Sequence, residues 1–474
     1  MKSKRKIFIC CVMSLMMALV MAVPMSVSAA EKPVTDKAGL LEAINNAANG
    51  DVITVSGNIE CDTAVNIDDN ITITGGSITF NTPGVNSMTI VDGAEVDLNN
   101  IKIANTDGKS VIHVYGSTLT AENLTVVHGG STGAPILVNN GSTADFTGLN
   151  LELGANSWYG VNVDGSEATF SGVTTNGTTG TQSVVCAENN ADVTCPGYTV
   201  VKTNKDGGNN QPQTAYVADS NLAEFVAKKT EGNKDITEID LDKNVNLSAP
   251  LYLNEEMTVN GNGYTITGPV GIEENAVTIK KSDVTLNDLK IETTEDNKSA
   301  LHVYKSENVT LNNITLDNTK TVGGAGLIVN GSTVDIAGQF KVILGEKSWG
   351  GINVDTTNGD AEVNFLDGSK VVAEGIRGDQ SVIYQDENDT EEAVINGADK
   401  AGLVENADGS YSIAGTDPTD PSTTPGTDTP SGDKTDATPQ TGDDTNLGLM
   451  FAIMGIAAAA AAGTLVYGRR RHNN

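Results

Sequence analysis

Two small sets of residues recur in this chain with the chemistry of sugar recognition: His113, Tyr115, Trp158, Asn162 and Asp164, then His302, Tyr304, Trp349, Asn353 and Asp355. Aromatic faces stack on the C–H patches of a pyranose ring, while carboxamides and carboxylates bond its hydroxyls. The residue types are scarce. Between the two terminal segments lie only three His and two Trp, and two of the His and both Trp belong to these sets. The competing explanation is that a whole unit was duplicated and the rings lie half-buried over turns.

The elements that would position these residues are short strands. Ser110-Val111-Ile112-His113-Val114-Tyr115 matches Ser299-Ala300-Leu301-His302-Val303-Tyr304. Ser157-Trp158-Tyr159-Gly160-Val161-Asn162-Val163-Asp164 matches Ser348-Trp349-Gly350-Gly351-Ile352-Asn353-Val354-Asp355, and Gln182-Ser183-Val184 matches Gln380-Ser381-Val382. The offset between copies drifts slowly, which means small insertions in turns with the strands kept. Each copy opens on a helix-period stretch, around Leu40, Leu41 and Ile44 and around Leu222, Phe225 and Val226. Within each copy, alternating strands return about every 25 residues, in the range of solenoid repeats. They start near Val111, Ile136, Val161 and Val184, and again near Leu301, Leu327, Ile352 and Val382. Gly-Ser and Asn-rich corners separate them, and Gly and Asn supply the positive φ that tight corners need. Alignment on the turn glycines Gly116, Gly141 and Gly165 puts Ile112, Val114, Val161 and Val163 inward. The same alignment puts His113, Tyr115, Val138, Asn140, Asn162 and Asp164 outward, with Asn330 joining the second set. Each set would then share one face within about 10 Å.

Such coils cannot bury their inner faces alone, so they stack at about 4.8 Å around one apolar column. Core positions of Val, Ile, Leu and Thr, with few aromatics, suit a narrow interior. The expected fold is all-β, with two tandem right-handed parallel β-helix modules at residues 31–203 and 214–413 and a flexible linker at 204–213. A short capping helix would lead each module and shield its open edge. Short strands at even spacing also suit an array of β-sandwiches. The pattern resembles the pectin-lyase-like β-helices, leading helix included, over about residues 34–413. That resemblance implies an architecture rather than an activity.

The termini imply export and anchoring. Lys2, Lys4, Arg5 and Lys6 precede an apolar stretch at 7–23, then Pro24 and small residues up to Ala29 and Ala30. This is the layout of a secretory signal peptide spanning residues 1–30. At the other end an Asp-, Thr- and Pro-rich segment, 414–437, cannot bury apolar surface and reads as a stalk. It leads to Thr438-Pro439-Gln440-Thr441-Gly442-Asp443, an apolar run at 447–467 and a basic tail at 468–474 containing Arg469, Arg470 and Arg471. The run is long enough to cross a bilayer as a helix, and the arginines would hold its end on the cytoplasmic side. Motif, span and tail together resemble the cell-wall sorting signal of Gram-positive surface proteins, with Thr438 where that family carries Leu. The resemblance implies cleavage between Thr441 and Gly442 by a sortase, transfer to peptidoglycan, and a final place on the extracellular face of the wall.

Charge and cysteines narrow the partners. Seven of the 29 basic residues lie in the terminal segments and none of the 61 acidic ones does, so the remainder carries 22 basic against 61 acidic groups, a net of −39. Such a surface repels nucleic acid and anionic lipid and disfavours polyanionic sugars unless calcium intervenes. Three cysteines remain outside the leader: Cys61, Cys186 and Cys195. Cys186 and Cys195 are spaced to pair across a turn, or all three are buried thiols.

Evidence for catalysis is thin. Lyases of the resembling fold use Arg or Lys with carboxylate-held calcium, and the mature portion has one arginine, Arg377, with no counterpart in the first copy. Asn105-Thr106-Asp107-Gly108 is similar to one motif of the fold-related polygalacturonases, but His128 lacks a preceding Gly and the other motifs are missing, so the stretch reads as a turn. Arg377-Gly378-Asp379 spells an integrin-type tripeptide and also reads as a turn. Residues 355–360 are acidic enough to suggest calcium but lack the spacing of a strong loop site, so no metal or cofactor is expected. The function expected is a non-catalytic adhesin or glycan-binding surface protein, its partner a carbohydrate or host-surface ligand. The alternatives are a polysaccharide lyase or glycoside hydrolase and a passive wall protein.

Overall fold

The structure is a computed structural model, and it describes residues 29–415 apart from 130–131, 177–181, 207–210, 232–234, 378–379, 386–388 and 390. The expected leader as far as residue 28, the stalk from residue 416, the sorting motif, the apolar run at 447–467 and the basic tail lie outside the described residues. Among the described residues, no helix is long and apolar enough to cross a membrane.

The chain winds as a mostly parallel β-solenoid of about 13 turns. Each coil of the first half contributes a strand to three faces, as in Glu95–Asn99, Lys102–Asn105 and Ile112–Tyr115. The next coil repeats them as Thr118–Glu122, Thr125–His128 and Ile136–Asn139, each parallel to its predecessor. In the second half the first two faces fuse into long bent strands, Val284–Glu292, Val309–Asp317 and Thr333–Ile343. The third face there is built from Val277–Lys280, Leu301–Tyr304, Ala325–Asn330, Gly350–Asp355 and Ser381–Gln385.

Alternation fills the interior. Ile112, Ile136, Val161 and Val185 stack in register, and the rings of Phe146 and Phe170 lie 5.0 Å apart and nearly parallel. Corners between the third and first faces share one device. A residue with positive φ is followed by a buried serine, as at Gly116-Ser117, Gly165-Ser166, Lys281-Ser282 and Lys305-Ser306. Each serine N–H donates to the hydroxyl of the serine one coil on: Ser117 to Ser142 at 3.2 Å, Ser142 to Ser166 at 3.1 Å, and Ser306 to Ser332 at 3.1 Å.

Two helices cover apolar ends. Lys37–Asn45 starts at Asp36, whose carboxylate accepts the Gly39 N–H at 2.8 Å, and it buries Leu40, Ala43 and Ile44. Leu222–Glu231 buries Leu222, Ala223, Phe225 and Val226.

The stretch expected as a flexible linker contains strands instead. Thr199–Asp206 and Gln211–Val217 pair antiparallel, with Asp206 opposite Gln211. This hairpin joins Ser183–Glu188 on one side to Ile236–Asp240 on the other, again antiparallel. Its period of two divides its side chains between two apolar clusters. Val200 and Tyr216 pack with the first half, and Val201, Ala215 and Val217 with the second. Strands paired on both sides make the described part of this stretch continuous with the ladder. Among the described residues no disulfide joins Cys61, Cys186 and Cys195; all three are buried, and burial pushes the Cys195 thiol up to about 12.

The tightness of the coil corners is measurable. A Cβ at Gly324 (φ +78°) would lie 2.1 Å from the Lys298 carbonyl oxygen, whereas one at Gly263 (φ +81°) would meet nothing within 4 Å. Gly263→Ala should cost only the left-handed penalty, roughly 1–2 kcal/mol. Gly324→Ala should cost roughly 2–4 kcal/mol, because the backbone of the neighbouring coil must also move. Urea unfolding of the two variants checks this, and equal losses would refute it.

Candidate functional site

The third face of the first half gathers most of the first set. Register places His113, Leu137 and Asn162 in one row across adjacent strands, and Tyr115, Asn139 and Asp164 in the next. The outward residues of the middle strand are therefore Leu137 and Asn139, not Val138 and Asn140. Val138 is wholly buried and Asn140 is a corner residue at φ +60°. That corner carries one residue more than its neighbours, and a one-residue slip exchanges the two faces of a strand.

His113 is held by carboxamides at both ring nitrogens. The Ser110 N–H donates to Asn86 Oδ1 at 3.3 Å, which turns Asn86 Nδ2 toward His113 Nδ1 at 2.9 Å. Nδ1 is thus the acceptor, and the proton sits on Nε2, which donates to Asn139 Oδ1 at 2.9 Å. Tyr115 meets the imidazole edge-to-face at 5.7 Å. The second half repeats the clamp: Ser299 N–H donates to Asn275 Oδ1 at 2.7 Å, Asn275 Nδ2 lies 3.3 Å from His302 Nδ1, and Tyr304 meets His302 edge-to-face at 5.9 Å. Asn86 and Asn275 escape the strand pattern because they sit in loops. A signal was nonetheless present: Asn275 follows Asn86 by 189 positions, as His302 follows His113.

Further along the same face, Asp164 accepts from Asn189 Nδ2, and Glu188 accepts from Asn162 Nδ2 at 3.4 Å and from Gln213 Nε2. Gln213 Nε2 also reaches the Tyr159 hydroxyl at 3.3 Å. Trp158 is not beside His113. It stands in the loop ahead of Tyr159–Asp164, its N–H donating to the Gly133 carbonyl. Tyr115 pairs level with the far end of that strand, about 20 Å away along its direction. The repeated glutamines explain the loop's shape: Gln182 Nε2 donates to the Gly154 and Ser157 carbonyls, and Gln380 Nε2 to those of Gly345 and Ser348. Each thereby fixes the turn that carries Trp158 or Trp349.

The second set shares the register but not the exposure. Asn330, Asn353 and Asp355 are wholly buried, His302 nearly so, and Trp349 half-buried, so they do not form the open surface expected of them. Asp355 holds a turn: Asn330 Nδ2 donates to Oδ2, and the Thr357 N–H and hydroxyl donate to Oδ1. Its carboxylate thus caps this turn. Among the described residues, no group of three or more His, Cys, Asp or Glu is arranged to hold a metal ion. Tyr304 carries Lys280 and Lys305 at 5.4 and 5.1 Å from its ring centre, where the first half has Val91 and Gly116.

Other motifs are structural. Asn105 is buried and accepts the Gly129 N–H, within a turn in which Gly84 N–H donates to the Asp107 carbonyl. Arg377 opens a turn closed by Gln380, with Gly378 and Asp379 outside the described residues. His128 is buried, with Nδ1 2.7 Å from Ser157 Oγ and Nε2 2.7 Å from the Lys109 carbonyl oxygen.

No protein-family model and no curated protein sequence matches the chain. Among solved structures, an alginate lyase from Paenibacillus sp. str. FPU-7 is similar over 77% of this chain and 97% of its own, at 12% identity and a TM-score of 0.25. The A-module of the Azotobacter vinelandii mannuronan C-5 epimerase AlgE6 is similar over 75% of this chain and 88% of its own, at 11% identity and a TM-score of 0.20. Neither likeness bears on the chemistry of the residues above.

Burial holds the His128 imidazole below its usual range. The unfolded side chain takes up a proton near pH 6.5, while the folded one resists it. The unfolded state therefore binds more protons below that pH, and stability should fall as pH drops through about 6.5. His128→Gln should flatten this part of the stability profile, measured by urea unfolding between about pH 5.5 and 7.5. Parallel profiles for the two proteins would refute the assignment.

Proposed function

We propose that this chain is an exported, wall-anchored glycan-binding protein, an adhesin rather than a degradative enzyme. In this reading a sortase joins Thr441 to peptidoglycan after the apolar run has paused as a transmembrane helix. The stalk then carries outward a right-handed β-helix, its two halves arising as tandem modules.

One observation carries the binding assignment. Among the described residues, the only aromatic rings left strongly exposed are Tyr115 and Trp158, 46% and 59% accessible, and they stand at opposite ends of one polar face. His113, Leu137 and Asn162 lie between them, and Asn139 and Asp164 stand level with Tyr115. A strip about 20 Å long, with a stacking ring at each end and hydroxyl-bonding groups between, suits an extended oligosaccharide. Catalysis is the less favoured reading, because His113 has both nitrogens engaged and Asp164 and Glu188 already accept from amides. Many copies on one wall would add avidity to weak single sites.

The purified protein should be retained on an array of host and plant glycans. Trp158→Ala or Tyr115→Ala should weaken retention about tenfold each, as expected for loss of one stacking ring. Unchanged retention would defeat the reading, and new reducing or unsaturated sugar ends would make Asp164 and Glu188 acid–base candidates. For the anchoring half, Thr441→Ala should move the protein from the wall fraction to membrane or medium. An unaltered distribution would exclude sorting at that residue.

A further inference from the structure

We propose that leader removal cuts the Ala29–Ala30 bond and that the new α-ammonium of Ala30 pairs with the buried carboxylate of Asp51, closing the first coil of the solenoid. This rests on the export half of the reading above but concerns neither the Tyr115–Trp158 strip nor the wall linkage.

Asp51 is the fixed point. Only 2% of it is exposed, and it stands at the head of Val52–Val55, shortly after the helix Lys37–Asn45. A carboxylate buried there is costly unless donors meet its oxygens. Oδ2 accepts from the Lys32 ammonium at 2.6 Å and from the Ala48 N–H at 3.0 Å. Oδ1 accepts from the Ala30 nitrogen at 2.9 Å. Lys32 foremost, then the Ala30 and Ala48 N–H groups, hold the carboxyl down at about 2, so it is ionised at neutral pH. Ala30 is also the first rung of the ladder. Its carbonyl accepts the Val52 N–H at 2.9 Å, ahead of the parallel pairing of Glu31–Val34 with Val52–Val55. Glu31–Val34 is the edge strand of an eight-stranded sheet, so the groups that tie its start decide whether that edge frays.

Small residues precede two bonds, the one after Ala29 and the one after Ala30, and both suit leader removal. The fold separates them. A cut after Ala30 would take away the donor on Oδ1 and the carbonyl that Val52 uses. A cut after Ala29 keeps both and strengthens the first. Ala29 and Ala30 are exposed, so the bond between them lies outside the packed coil. Hydrolysis by a signal peptidase breaks the C–N bond. Water gives its hydroxyl to the Ala29 carbonyl carbon and a proton to the Ala30 nitrogen. The proton that the new Ala29 carboxyl then releases makes that nitrogen an ammonium. A neutral donor thus becomes a cation with three donors, already in place beside a carboxylate. Charge-assisted bonds of this kind are roughly twice as strong as neutral ones. Lys32 does not displace it: Lys32 sits on the other oxygen and also donates to the Ala43 and Asn46 carbonyls, at 3.4 and 2.6 Å. A carboxylate has about four acceptor sites, enough for both cations and the Ala48 N–H. The tie at the start of the ladder is therefore completed by processing itself, and a leader-bearing chain has only the weaker N–H bond.

The full chain would be produced in an exporting Gram-positive host and recovered from wall and medium. Mass spectrometry of its N-terminal peptide should show Ala30 as the first residue. A pulse of acetic anhydride at neutral pH should then acetylate the Ala30 amine about tenfold more slowly in the wild type than in Asp51→Asn, because the ion pair keeps the amine protonated. If Asp51→Asn does not fold, the wild type pulsed with and without urea carries the same criterion, about tenfold slower when folded. An exported chain that starts at Glu31, or an Ala30 amine equally reactive in the compared samples, would overturn the proposal and leave export standing. A chain that reaches neither wall nor medium, or that keeps its leader there, would remove the export reading and this pairing with it.

Discussion

The serine corner is the constraint on which the rest of the molecule depends. To keep successive rungs about 4.8 Å apart, the chain must turn from the third face to the first within a few residues. A left-handed residue makes the turn, and where it is Lys281 or Lys305 rather than glycine it does so at a cost of roughly 1–2 kcal/mol. The turn also removes backbone donors from the strand ladder, and these may not stay unpaired inside. Ser117, Ser142 and Ser166, and likewise Ser282, Ser306 and Ser332, answer that need by bonding corner to corner. Register is thereby passed from coil to coil at an edge of the solenoid. Once it is set, alternation alone decides which side chains fill the apolar column and which reach the outer faces.

The same regularity lets the two halves diverge without refolding. Both keep the clamp of serine N–H, asparagine and histidine, with an aromatic ring against the imidazole edge. Around it the surroundings changed. Gly350 opened room that the Tyr384 ring enters, in place of Tyr159 on the corresponding strand. Lysines stand beside Tyr304 where Val91 and Gly116 leave Tyr115 open. Substitutions on an outer face leave the column beneath untouched, because inward neighbours such as Ile352 and Val354 keep packing as before.

Much of this was legible in the sequence for a physical reason: period-two alternation and the glycine-serine corners are local signals. They located the coils, the leading helices at Leu40 and Phe225, and the inward Ile112, Val114, Val161 and Val163. The slip at Val138 came from a corner with two consecutive left-handed residues, Asn140 and Gly141, either of which could anchor the alignment. The pairing of Thr199–Asp206 with Gln211–Val217 was hidden because the sequence between and around these strands is rich in glycine and asparagine, although Val200 and Val201 alternate between two cores. Exposure was illegible altogether. His113 and His302 occupy equal places in matching strings, yet one face is half-open and the other covered. Covering depends on residues distant in the chain, which no local pattern encodes.

On the glycan-binding reading, the parallel ladder, hydrogen-bonded coil to coil, serves to present groups on a fixed frame. Proton transfer asks for a side chain whose charge state is free to change near neutrality. On the open face the obvious candidate, His113, has both ring nitrogens held by carboxamides, Nδ1 by Asn86 and Nε2 by Asn139. Binding asks for the opposite quality. Groups held in place before the ligand arrives spare the ordering entropy that flexible surfaces lose on association. Rows of side chains set by strand spacing, with Tyr115 and Trp158 at the two ends, meet that requirement on a rigid frame.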